Sequence, residues 1–112
     1  MEKSNELRIV FVTTANFENA RQISKILVTE KLAACCSIIQ NVTSIFGWEG
    51  TIHERNEYII FIKTTEKRLT ELEERIKEMH SDDVPEIISL NIDKASDTYI
   101  DRKSTRLNSS HT

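Results

Sequence analysis

The 112-residue sequence predicts one α+β domain of element order β-α-β-β-α-β. Two stretches with apolar residues at helical spacing lie between four runs rich in β-branched and aromatic residues. The two central runs are long and are joined through the chain's only glycines, Gly47 and Gly50, which marks them as an extended hairpin. The runs also fail to alternate, so the sheet they form is apolar on both faces.

The elements follow in order. "LRIVFVTT" (Leu7–Thr14) is the first strand. Asn16 is a suitable N-cap for a helix that turns Ala20, Ile23, Ile26 and Leu27 to one side. "AACCSIIQNVTSIF" (33–46) and "TIHERNEYIIFIKTT" (Thr51–Thr65) are the hairpin arms, with Trp48 at the tip. Thr65 is placed to cap the second helix, whose stripe is Leu69, Leu72, Ile76 and Met79. Glu71 with Arg75, and Glu73 with Lys77, are i,i+4 pairs in the favourable direction on its solvated side. Pro85, the only proline, opens "EIISLNI" (86–92), the last strand. The order corresponds to a split βαβ, or ferredoxin-like, sandwich with a long central hairpin. Residues 7–100 form the domain, 1–6 are expected to be a flexible lead, and 101–112 are expected to be disordered. That polar tail has the look of an extension foreign to the native chain.

Composition excludes several classes. Charged residues make up 29% of the chain and apolar residues 38%, a balance suited to a folded domain, and the net charge of −3 leaves no basic footprint for nucleic acid or anionic lipid. No run approaches the roughly 18–20 apolar residues of a membrane span. "MEKSNELRIV" lacks the basic-then-apolar layout of a secretory leader, which predicts a cytoplasmic protein. Adjacent Cys35 and Cys36 disfavour a disulfide and, on a strand, project to opposite faces, so they do not jointly grip one metal. Glycine-rich phosphate loops, Cys-x-x-Cys and zinc spacings are lacking, which argues against an enzyme or a metallochaperone. An RNA-recognition domain of the same topology would need a basic-Gly-aromatic context on its third strand, and "NEYIIFIKT" has no glycine.

The two-faced sheet is the most informative feature. Tyr58, Ile60 and Ile62 take one face of their strand, and Ile59 and Phe61 the other; Ile9 and Phe11 oppose Val10 and Val12; Ile87 and Ile88 are neighbours. Two helices cover one face only. Four or five large side chains left wet would forfeit on the order of 10 kcal/mol gross, comparable with a domain's net stability. A partner surface is therefore expected, with Trp48 covered between chains.

Ala33-Ala34-Cys35, Trp48-Glu49-Gly50, Ile62-Lys63-Thr64 and Val84-Pro85-Glu86-Ile87, in this order and spacing, resemble the CutA divalent-cation tolerance family from Leu7 to Tyr99. The resemblance implies a ferredoxin-like subunit in a homotrimer packed through its sheets, with hairpins embracing neighbours. It also implies a role in tolerance to copper and other divalent metals without catalysis. Where some members offer copper a cysteine and a histidine pair, this chain has Thr13, Met79 and His80. The usual His-Pro-Tyr is here His80-Ser81-Asp82, and the tryptophan of the closing helix is lost. On this basis the candidate metal ligands are His80, Cys35 and Met79, with His80 charged by the helix C-terminus and by Asp82 and Asp83. The intersubunit cleft implied by the resemblance would use Trp48, Glu49, Glu57, Lys63 and Glu86, with Lys63 and Glu86 as an ion pair. The functional expectation is a trimer that binds divalent cations weakly, copper in particular, needs no cofactor, and has neither nucleic acid nor membrane as partner. The alternative is a module resembling the trimeric PII signalling proteins, binding a small anion or a protein in that cleft.

Overall fold

The computed structural model describes residues 1–3 and 6–108. Its elements are β1 (Glu2–Lys3), β2 (Leu7–Thr14), α1 (Phe17–Thr29), β3 (Cys35–Trp48), β4 (Thr51–Thr65), a 3-10 turn (Glu66–Arg68), α2 (Leu69–Met79), β5 (Ile87–Asn91), β6 (Lys94–Ala95) and α3 (Asp97–Asn108). The main sheet runs β3-β4-β2-β5, with every neighbouring pair antiparallel. The architecture is mixed α+β, with a second, two-stranded sheet and three helices.

One core lies between α1, α2 and the inner face of the sheet. Ile23 and Leu27 of α1 and Leu72 and Ile76 of α2 pack on Val10, Val12, Ile60 and Ile62, all essentially inaccessible to solvent. The inner face is therefore every second residue of β2 and β4, as a strand's period of two requires. Asn16 caps α1, its side-chain oxygen accepting from the Asn19 N–H at 3.0 Å. Asn16→Ala should cost about 1 kcal/mol in a denaturant titration, whereas Asn16→Asp should cost only a few tenths.

β3 and β4 pair without a break except near Gln40 and Asn41, where a register shift lets the arm bend; Asn41 has φ 62°. The turn at the tip is Glu49-Gly50, with φ 50° and 77°, the positive values that two-residue hairpin turns demand. Gly47 lies inside β3, so of the two glycines only Gly50 is at the turn.

Several expectations are corrected. The 3-10 turn intervenes before α2, and the Thr65 side chain makes no capping bond to its N–H groups. Instead the Thr65 Oγ1 accepts from Arg68. Lys77 pairs with Glu73 at 3.0 Å as expected, but Arg75 turns to Glu30, just past the end of α1, at 2.9 Å, and to Glu78. Residues 2–3 do not hang free: they pair with Lys94–Ala95. The expected disordered tail is helical as far as Asn108; residues 109–112 lie outside the described residues. The helix exists because Ser96 caps it, accepting the Tyr99 N–H at 3.2 Å. Tyr99, Lys103 and Leu107, four apart, then form a stripe that turns inward. Lys103 lends its aliphatic stem to that stripe, a contribution hidden from a count of apolar residues.

Candidate functional site

The outer face of the sheet carries Ile9, Phe11, Ile59, Phe61, Ile88 and Leu90. Phe11 and Phe61 meet edge-on at 4.9 Å between centroids. α3 crosses only one end of this face, near Leu7 and Lys63. Ile88, Leu90 and Ile39 keep more than two-fifths of their surface exposed within one chain. The expectation of a sheet apolar on both faces is met. Trp48 is 63% exposed within its own chain, and Ile45 and Ile52 beside it on the hairpin are as open.

At the other end of the outer face lies a groove of about 340 Å³, bounded by Thr13, Phe46, Arg55, Glu57, Asp82 and Glu86. β2, the hairpin and the loop after α2 each supply part of it. Arg55 holds the walls together, its Nη2 3.2 Å from Asp82 Oδ2 and its Nε 3.5 Å from Glu57 Oε2. One guanidinium among three carboxylates leaves the groove negative, which attracts cations from solution.

The predicted site residues separate into distinct places. Glu57 and Glu86 meet in this groove. Trp48 and Glu49 stand at the hairpin tip. Lys63 is elsewhere: it pairs with Ile9 in the sheet, and its Nζ lies 3.7 Å from Cys35 Sγ and 3.3 Å from Ser37 Oγ. The expected Lys63–Glu86 pair does not form. Ile87, next to Glu86, pairs with Val12, so register places the two charges about 13 Å apart along the sheet. Arg55 was not singled out from sequence, and Asp82 was named only as a carboxylate beside His80, not as a wall of the groove. The period of two, which places Arg55 beside Glu57 on one face, is the signal that could have found Arg55.

The metal candidates do not converge either. Cys35 is level with Lys63, and His80 contacts Thr13 at the opposite end of β2. Met79 packs against the core. Cys36 projects inward, as alternation requires; burial, and then the neighbouring Cys35, push its thiol up to about 12, so it remains protonated. The His80 ring is not placed as a charged group: Nε2 faces the Thr13 carbonyl at 2.7 Å and Nδ1 accepts the Asp82 N–H at 2.9 Å, the pattern of a neutral imidazole. Among the described residues no three His, Cys, Asp or Glu side chains are grouped so as to hold a metal ion. A soft-metal centre built on Cys35, Met79 and His80 does not fit within one chain.

A family model described as CutA1 divalent ion tolerance protein matches residues 8–103. The chain belongs to the CutA1 family. It is 41% identical over 93 residues to the divalent-cation tolerance protein CutA of Thermus thermophilus, covering 83% of this chain and 90% of that one. It is 38% identical over 100 residues to the chloroplastic protein CutA of Arabidopsis thaliana, covering 88% of this chain and 55% of that longer protein. The solved CutA1 structure from Ehrlichia chaffeensis superposes with a TM-score of 0.86 at 33% identity, over 93% of this chain and 98% of the other. The CutA1 match runs into α3 and ends at Lys103, so the helix that sequence reasoning left unstructured begins inside the family's own extent.

Proposed function

We propose that this chain serves divalent-cation tolerance, copper included, as a homotrimer of ferredoxin-like subunits that binds or sequesters cations rather than transforming a substrate. The observation that carries the assembly is the outer face: Phe11, Phe61, Ile9, Ile88 and Leu90 form an apolar surface that α3 leaves largely open. A second copy covers it at roughly 25 cal/mol per Å² of apolar area buried. The exposed Trp48, Ile45 and Ile52 on the protruding hairpin give each chain an arm with which to cover its neighbour. Membership of a family named for divalent ion tolerance supports the role, and the negative groove supports attraction of cations as the means. Carboxylates suit hard or borderline cations, whereas Cys35 and His80 stand at opposite ends of the sheet.

Light scattering tests the assembly: the expected mass is three times the 13.0 kDa of one chain. Titration calorimetry with Cu²⁺ and with Zn²⁺ tests the role. Saturable binding at a fixed ratio per trimer is expected, and an absence of heat with both ions would overturn sequestration.

A further inference from the structure

We infer that His80 is a neutral latch that positions the wall of the groove, and that in this chain it is not a ligand for a divalent metal. An imidazole binds a metal through a ring lone pair, so the question is which lone pair His80 has to offer. Its Nε2 lies 2.7 Å from the Thr13 carbonyl oxygen, which only accepts, so Nε2 carries the proton. The single remaining lone pair is on Nδ1, and the Asp82 N–H donates to it at 2.9 Å. Both nitrogens are committed within the chain.

The surrounding contacts show what the latch holds. His80 ends α2, its own N–H donating to the Ile76 carbonyl. Asn19 at the start of α1 grips the residues on either side: its Nδ2 donates to the Met79 carbonyl at 2.9 Å and its Oδ1 accepts the Ser81 N–H at 3.1 Å. His80 fixes the next residue, Asp82, whose carboxylate meets Arg55 at 3.2 Å. A continuous polar path therefore leads from the end of β2 through the imidazole to the groove. A metal at Nδ1 would displace the Asp82 amide and release that wall. A metal at Nε2 would require loss of its proton and of the Thr13 contact. No thiol waits nearby to offset either loss, since residue 13 is threonine and Cys35 is at the far end of the sheet. The inference holds whether or not the chains assemble.

The test is ¹⁵N NMR of the histidine side chains of the full chain at neutral pH, followed by one equivalent of Zn²⁺. The expected result is an Nε2–H tautomer for His80, with its ring signals unmoved by Zn²⁺. Amide exchange supplies a second measure. His80→Ala should lose protection at Asp82 by at least tenfold. His80→Asn should recover most of it, because its Oδ1 can accept the same N–H. Zn²⁺ affinity of His80→Asn, which keeps the groove wall in place, should stay within twofold of wild type. An Nδ1–H tautomer in the wild type overturns the latch. Zn²⁺ shifting His80 ahead of His53 and His111, with a tenfold loss of affinity in His80→Asn, overturns the exclusion of metal. If neither variant folds, the wild-type tautomer and Zn²⁺ response decide.

Discussion

Phe61→Glu is expected to leave a folded single chain of 13.0 kDa where the proposed trimer has three times that mass. Phe61 is at the middle of the outer face, edge-on to Phe11, whose other sheet neighbour is Ile88. Its side chain points away from the helices, so the inner core of Val10, Val12, Ile60 and Ile62 is untouched and far-UV circular dichroism should be retained. In the proposed assembly the same position would be shielded from water. Burying an unpaired carboxylate there costs several kcal/mol for each chain, and a threefold arrangement would bring three of them near one axis, where they repel. Loss of assembly by two or more orders of magnitude in affinity follows, read by light scattering across a dilution series. Retention of the trimer by Phe61→Glu would mean that the chains meet through another surface.

Lys103→Met should stabilise the protein. The Lys103 side chain is buried beneath α3, 3% exposed, and its Nζ meets no hydrogen-bond partner among the described residues. The Tyr99 ring, 5.2 Å away, offers partial compensation through a cation–π contact. Burial, and then the charge of Lys63, push its ammonium down to about 8. The sign follows from proton counting. Between about pH 8 and the ordinary lysine value near 10.5, the unfolded chain holds a proton that the folded chain has released, so native stability rises with pH across that window. Below it the full penalty applies. A fall of this size is worth at most roughly 3 kcal/mol at neutral pH. Water reaching the rim of the adjoining pocket reduces this, so a gain of about 2 kcal/mol is expected from Lys103→Met. Urea titrations at pH 7 and pH 10 should show that gain at the lower pH and a much smaller one at the higher. Equal stabilisation at both would assign the effect to packing by methionine rather than to the buried charge.

Both effects depend on surfaces that the sequence made legible to different degrees. The outer face could be read directly, because strand alternation assigns Ile59 and Phe61 to one side and Ile60 and Ile62 to the other without knowledge of the partners. The two helices were equally plain from the spacing of Ile23 with Leu27 and of Leu72 with Ile76. α3 was not. Its inward stripe of Tyr99, Lys103 and Leu107 holds one residue that is apolar by type, and it becomes visible only once the lysine stem is seen lying in the pocket.

The candidate site divides the same way. Trp48 at a hairpin tip, and the opposite projection of Cys35 and Cys36, are local facts of turn chemistry and pleat. That Arg55 joins Glu57 to Asp82, that Lys63 stands apart from Glu86, and that both nitrogens of His80 are occupied are matters of register and of contacts between residues distant in the chain. By itself, then, the sequence determined the order of the four long strands and first two helices, the core stripes of those helices and the double-sided sheet, because periodicity is written in neighbouring residues. Only the tertiary structure decided which charged groups meet and that neither nitrogen of the His80 ring is free, because a few rungs of register or a single backbone carbonyl can reassign a side chain's partner while leaving every local pattern unchanged.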